Sequence, residues 1–419
     1  MFHTIEELRA QFPSLQSDRI FFDGPGGTQV PQQVIDRMET YLIHMNANHG
    51  GAFSTSTLSD QLVQDTREAL AMFFNASRPE EIIFGANMTS LTLSISRSLA
   101  RTLNPGDEII VTRLDHDANI SPWLQIAQDR DCEVHWLDFD IEDCTLKLDQ
   151  LESILNKRTR LVAVGYASNA VGTINPIRKI IEQAHQVGAL CYIDAVHYAP
   201  HGPIDVQSLD CDFLVASAYK FFGPHVGILY GKYQHLERLS PYKVRPAPNM
   251  PPGKFETGTN NFEGIAGVLG ALEYLGHAIG VFSKELQEPN LPITSPKMLN
   301  PRLTMEAICQ HERTLTKKLI QTLEVIPGLH IWGLTETDKL DQRVPTVSFT
   351  LDGLHPRDIA EKLGQTGIQV WDGNYYALAV TERLGLENKG GMVRVGLCHY
   401  NNPEEIERLG AALSSLQSA

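Results

Sequence analysis

Cysteine is scarce and scattered in this 419-residue sequence: six residues, at 132, 144, 191, 211, 309 and 398, with no CxxC pair among them. That excludes the usual zinc and dithiol motifs, so no metal is expected. In a reducing compartment such thiols are mostly small buried hydrophobes. Basic charge is also short. The chain carries 35 Lys and Arg against 50 Asp and Glu, a net charge of -15, and no basic run stands out. It would repel a phosphate backbone, which argues against nucleic acid as a partner. Missing too is an apolar run of the roughly 18 residues that a membrane span needs, so no membrane partner is expected. The first residues, MFHTIEELRAQFPSLQ, lack a basic segment followed by an apolar one. They do not read as a signal peptide, and a cytoplasmic location is the expectation.

What is present fits a globular chain with a sizeable core: 42% apolar and 20% charged residues, and a mean hydropathy of -0.17. The length admits two or three domains. From Ala69 to Leu229, short apolar runs alternate with helical stretches. Strands are expected at Glu81–Phe84, Glu108–Arg113, Glu133–Asp138, Leu161–Tyr166, Leu190–Asp194, Phe213–Ser217 and Gly227–Tyr230. The clearest helix is Ile177–Val187, between Asn-Pro and Gly188. This alternation predicts an α/β fold with a mostly parallel sheet covered on both faces. A loop-rich stretch, Ser240 to Glu263, precedes a helical segment at Gly264–Ala278, and Glu288–Pro301 reads as a surface insertion. The remainder, about 302–419, reads as helix, strand pair, helix, strand, helix, a smaller α/β domain.

Ligands of such sheets sit at the carboxyl ends of the strands, which singles out the residues just after each run. Lys220 follows one of them, in Ala216-Ser217-Ala218-Tyr219-Lys220-Phe221-Phe222-Gly223-Pro224. It is either a strand-end lysine reaching water or a Schiff-base lysine, whose amine is made nucleophilic by desolvation. Asp194 ends the preceding strand run, Leu190–Ile193. An aspartate there is a helix N-cap or the carboxylate that keeps a pyridine nitrogen protonated in pyridoxal phosphate. Its pairing with Lys220 on the next strand end favours the cofactor. Ile83-Phe84-Gly85-Ala86-Asn87-Met88-Thr89-Ser90 reads as strand, small-residue turn and helix start. Its backbone N–H groups suit a phosphate, with Asn87, Thr89 and Ser90 as side-chain donors; plain capping is the alternative. His116 and Asn169 also follow strands. His116 can stack on a cofactor ring and move protons, or be a surface histidine. Asn169 can donate to the cofactor or substrate, or be a turn residue before Gly172.

In order and spacing these stretches resemble the class V aminotransferase superfamily, most closely the cysteine desulfurases that serve iron–sulfur cluster assembly, from about Ile20 to the C-terminus. The resemblance implies the pyridoxal-phosphate-dependent aminotransferase fold (fold type I): a large domain with a seven-stranded sheet and a small C-terminal α/β domain. By that likeness residues 1–25 form an arm joining the small domain, 26–285 the large domain, and 286–419 the small one. A homodimer with shared active sites is implied as well. Phe21-Phe22-Asp23-Gly24-Pro25-Gly26-Gly27-Thr28 matches the segment that lines the family's site. The resemblance implies His116 as the ring-stacking histidine and Asn169 as the asparagine near the cofactor. Asp194 falls on the pyridine partner, and His197 on the phenolate partner, commonly a glutamine. The phosphate ligands fall on Asn87, Met88, Thr89, Ser217 and Tyr219, the last standing where desulfurases often carry a histidine. Lys220 is the Schiff-base lysine. Thr259, in Glu256-Thr257-Gly258-Thr259-Asn260, matches a loop that reaches the partner subunit's phosphate. Arg394, in Val393-Arg394-Val395-Gly396, falls on the substrate-carboxylate arginine, whose planar fork binds a carboxylate with two bonds.

One departure bears on the reaction. Desulfurases carry a nucleophilic cysteine on a small-domain loop. The matching stretch, Val370-Trp371-Asp372-Gly373-Asn374-Tyr375-Tyr376-Ala377, places Tyr376 there, and a phenol does not accept sulfur. Cys398, four residues after Arg394 on an expected strand, is either a substitute or a packed core residue. The reading this favours is a lyase that cleaves a C–S bond by β-elimination, with Lys220 as base, because it needs no cysteine. The alternatives are an aminotransferase, epimerase or decarboxylase on another amino acid, a desulfurase with a non-standard cysteine, and a non-catalytic protein that kept the site. The feature expected to discriminate is the pocket around Arg245, His197 and the Trp371–Tyr376 loop.

Overall fold

The computed structural model describes residues 2, 4–282 and 301–416. Runs of β-branched and other apolar residues form strands Ile82–Gly85, Glu108–Thr112, Glu133–Leu137, Thr159–Gly165, Leu190–Asp194, Phe213–Ser217 and Gly227–Gly231. They lie within one or two residues of the expected positions. They make one seven-stranded sheet in the order 82–85, 227–231, 213–217, 190–194, 159–165, 108–112, 133–137. Strand 227–231 runs antiparallel to both neighbours, and the other pairings are parallel. Burial on both faces explains why these strands read as continuous apolar runs instead of alternating.

Helices close both faces. Ile177–Val187 buries Ile177, Ile180, Ile181 and Ala184, the spacing of one helical face, and ends at Gly188 in the left-handed region, φ 84°. Helix Phe262–Phe282 corrects an expectation. It is long and apolar enough by composition to cross a membrane, with mean hydropathy 1.5, although its two glutamates hide the run from a search for uncharged stretches. Within the fold, 72% of that stretch is buried. The helix packs on helices Gln32–His44 and Ser54–Phe74. A Cβ on Gly270 would lie 2.6 Å from the Gln33 carbonyl oxygen, so glycine permits this close helix approach.

A second, four-stranded antiparallel sheet has the order 371–373, 392–396, 346–351, 329–332. It packs with helices Pro301–Glu324, Pro356–Gln365 and Pro403–Leu416 around a separate core that includes Leu319, Phe349, Val393 and Leu409. Ile20 and Phe22 join that core, and Ile20–Phe21 pairs in parallel with Ile368–Gln369. The short strands 368–369 and 371–373 and helix Leu378–Arg383 are additions to the expected pattern; each is too short to show a period. Of the expected insertion Glu288–Pro301, only Pro301 is among the described residues, and it begins a helix.

Candidate active site

The carboxyl ends of the parallel strands carry most of the expected residues. Lys220 closes a single 3-10 turn after strand Phe213–Ser217, with Phe221 and Phe222 fully buried behind it. Its amine donates to the Pro25 carbonyl. Burial, reinforced by the charge of Arg394, lowers the Lys220 pKa to about 7, against the pull of Asp194 and Asp23. Asp194 ends strand Leu190–Asp194 and accepts from the Val196 N–H at 2.9 Å. Burial raises its carboxyl to about 6, while that N–H and Lys220 oppose the rise. A low-pKa amine and a buried carboxylate therefore share one electrostatic field.

Asn87 caps helix Met88–Ala100, its Oδ1 accepting from the Ser90 N–H at 2.9 Å. The Met88 N–H donates to Ser217 Oγ at 3.0 Å, which clasps this helix start to the lysine strand. Thr89 is exposed beside it. A Cβ on Gly227 would strike the Asn87 backbone, so the neighbouring strand needs glycine there. Tyr219 stacks on His225, with centroids 4.8 Å apart, and the Lys220 amine lies 4.8 Å from the Tyr219 ring.

His116 accepts the Ala118 N–H on Nδ1 at 3.0 Å, so the neutral ring holds its proton on Nε2. Burial, then the charges of Lys220 and Arg394, lower its pKa to about 4. His197 is buried, with Nε2 2.9 Å from Thr346 Oγ1, and burial holds it neutral. Asn169 donates through Nδ2 to the Tyr375 carbonyl at 2.9 Å, which fixes the amide's orientation. Its buried Oδ1 has no partner among the described residues. The expectation cast Asn169 as a donor; the atom left free is an acceptor.

Arg394 lies on strand Met392–Gly396, 4% exposed. Its Nη1 donates to the Asn169 carbonyl at 2.7 Å, and its guanidinium sits 4.1 Å from the Tyr375 ring centroid. Nε is buried without a partner among the described residues, so that edge of the fork is open to a carboxylate. Two expected residues are not brought in. Thr259 is exposed on the turn after Glu256, whose carboxylate pairs with Arg67 at 2.8 Å. Arg245 is exposed on the loop before helix Phe262–Phe282. Cys398 corrects another expectation: it lies beyond the end of its strand, is 1% exposed, and burial raises its thiol pKa well above the ordinary value.

Three residues received no role of their own from the sequence, although Asp23 and Tyr375 lie in stretches expected at the site. Asp23, bridged to Gly396, has a carboxyl raised to about 6 by burial, opposed in part by the charges of Arg394 and Lys220. Asp115, 3% exposed and bonded by Thr112 Oγ1 at 2.7 Å, is raised to about 8, mainly by burial, with the charge of Asp194 adding to it. An acid directly before His116 at a strand end was the available signal. Tyr375 is the third, and nothing in its local sequence announces a contact with Arg394. Two groups bring possible metal donors within 4.8 Å of one another, His185/Cys191/Asp212 and Glu108/Glu133/His135. Their carboxylates already have partners: Asp212 is hydrogen-bonded to His185 and His235, each at 2.9 Å, and Glu108 forms ion pairs with Arg158 and, when its ring is protonated, His135.

A family model described as aminotransferase class-V matches residues 20–292 and 295–409. The chain belongs to the class-V aminotransferase family. An aminotransferase-like protein of Gibberella zeae is 36% identical to this class-V chain over 419 residues, covering 98% of each. A cysteine desulfurase of Pectobacterium carotovorum is 33% identical over 436 residues, covering 99% of this chain and 98% of the relative. The apo cysteine desulfurase of Thermococcus onnurineus superposes with a TM-score of 0.87 at 25% identity, covering 99% and 98% of the two chains. As a member of the class-V aminotransferase family the protein is a pyridoxal-phosphate-dependent enzyme. Its own donor set fits that cofactor: a low-pKa buried amine, a buried carboxylate in its field, a capped helix start, and the unpartnered Asn169 Oδ1 and Arg394 Nε.

Proposed function

We propose that this enzyme cleaves a C–S bond of a cysteine- or cystine-type amino acid by β-elimination. Lys220 would carry the cofactor and Asp194 would keep its pyridine nitrogen protonated; His116 would stack on its ring, and His197 would neighbour its phenolate. Asn87, Met88, Thr89, Ser217 and Tyr219 hold its phosphate, with Thr259 contributed across a homodimer. When bound, the cofactor supplies the electron sink for charge developing at the substrate's α-carbon. The open Nε edge of Arg394 binds the substrate carboxylate, with Asn169 beside it. Once the substrate's amine has displaced it from the cofactor, the freed Lys220 amine, with its pKa near 7, takes the α-proton. The β-carbon–sulfur bond then breaks, the sulfur leaves as thiolate, and water completes pyruvate and ammonia. The observation that carries this reading is the small-domain turn: Tyr375 and Tyr376 line it, and Cys398 is sealed in the core. The dimer reading draws support from exposed Ile35, Leu42 and Ile43 on helix Gln32–His44, and exposed Phe53 and Leu58 at the start of the next helix, Ser54–Phe74.

A second reading, an aminotransferase, epimerase or decarboxylase acting on another amino acid, draws support from the aminotransferase-like fungal relative. Incubation with L-cysteine and then L-cystine separates the possibilities by the carbon product. Pyruvate with ammonia is the expected result. Alanine with released sulfur would mean desulfuration through a cysteine after all. Turnover of neither amino acid would transfer the assignment to the second reading.

A further inference from the structure

His116 has two ring faces, and Tyr376 takes one of them: the centroids are 5.6 Å apart and the planes 13° from parallel. A cofactor ring can stack only on the other. The tyrosine is 75% exposed, so its burial does not account for the contact. Backbone does. The Tyr376 carbonyl accepts from the Asp117 N–H at 2.7 Å, one residue from His116. Its own N–H donates to Asn374 Oδ1 at 3.1 Å. Tyr375 and Tyr376 both occupy the left-handed region, at φ 56° and 58°. Two bulky residues there cost about 1 kcal/mol or more each, and such strain persists where surrounding contacts impose it. Here those contacts run to the site. The first tyrosine packs its ring on Arg394 and receives the Asn169 amide, and the second backs His116.

We propose that Tyr376 is a positioning residue: its ring fixes the plane of His116, and the turn that carries it locks that plane to the placement of Arg394. The proposal rests on the stacking role given to His116 above. It also implies that Tyr376 shields His116 from water. The charged and titratable groups facing the ring are Lys220, Arg394 and His197. With the tyrosine gone, water reaches the open face and the imidazole pKa moves up from about 4 toward its ordinary 6.5.

The test compares Tyr376→Phe and Tyr376→Ala in the cofactor-loaded enzyme, with thermal melting to verify folding. Three readouts are taken: visible circular dichroism of the bound cofactor, the NMR titration of His116, and steady-state kinetics. Tyr376→Phe keeps the stack and should match the parent within about twofold on each. Tyr376→Ala should weaken the dichroic band, shift the His116 titration upward, and lower kcat about tenfold with little change in KM, the pattern of lost alignment. The titration repeated on cofactor-free protein reads the shielding without the cofactor, so an error in the cofactor assignment is not mistaken for an error here. A Tyr376→Ala enzyme with unchanged dichroism and an unchanged His116 titration overturns the proposal.

Discussion

The two walls of the site are built by opposite strategies. On the large-domain side, Asp194 terminates a buried parallel strand, and Lys220 follows another by one turn. The sheet fixes where they stand, and the left-handed residue nearby, Phe222 at φ 70°, lies two positions past Lys220 and packs into the core. On the facing side, Tyr375 and Tyr376 sit on a left-handed turn after a three-residue strand, and side-chain and backbone bonds from the other wall hold them there. In the proposed reading, the rigid wall has the groups that the cofactor's chemistry requires, and the strained wall has groups that position and select. The contrast suggests where substrate choice evolves: a turn can change residues without disturbing the sheet.

The largest expected effect comes from removing the rigid wall's central group. Lys220→Ala should abolish the visible absorbance of the lysine-linked cofactor and cut turnover at least about a thousandfold. A variant that keeps the band would place the cofactor elsewhere. The environment of Lys220 gives a second measurement, the rate at which cofactor-free protein regains the band when pyridoxal phosphate is added. The neutral amine is the nucleophile, so the rate should rise with pH through the Lys220 pKa of about 7 and then level off. Between pH 6 and 8 that is a rise of about tenfold. A lysine of ordinary pKa would instead give about a hundredfold over the same interval and keep rising. A third change is purely steric. In Gly227→Ala the new methyl meets the Asn87 backbone and must displace the start of helix Met88–Ala100. Cofactor affinity should fall about tenfold and stability by about 1–3 kcal/mol, the usual cost of overpacking. Spectral titration and thermal melting would check both, and wild-type values would mean that the helix start yields freely.

The same contrast governs how far the sequence could be read. Buried strands leave long apolar runs, and their carboxyl ends mark sites, so Asp194, Lys220, Asn87 and His116 stood out from pattern alone. The likeness to a family was needed for Arg394, which sits in an ordinary antiparallel strand with no local signal of chemistry. Asp23 and Asp115 were missed because burial, a tertiary property, shifts their carboxyls. Cys398 was placed on a strand by extrapolating a period past Leu397, whose N–H still bonds the Pro345 carbonyl in register, but Pro345 has no N–H to return the bond and the ladder ends there. Helix Phe262–Phe282 shows the converse: its composition matches a membrane span, and only packing reveals a core helix. Thr259 is exposed and stands apart from the described site, and only the family likeness gave it a role across a homodimer.

The smallest expected effect probes the strained wall at Arg394. The Tyr375 ring lies against the guanidinium, and the Tyr375 hydroxyl donates to the Met392 carbonyl. Tyr375→Leu removes the cation–π contact and the hydroxyl's bond to the Met392 carbonyl, while Asn169 keeps its bond because it donates to the backbone carbonyl of residue 375. A cation–π contact is worth about 0.5–2 kcal/mol, and a loss of about 1 kcal/mol felt at the substrate raises KM about fivefold with kcat nearly unchanged. That is the signature of weakened carboxylate binding without lost chemistry. If kcat falls instead, the turn acts on the reacting atoms through His116 more than on the substrate through Arg394, and the division between a chemical wall and a selecting wall gives way to one coupled unit.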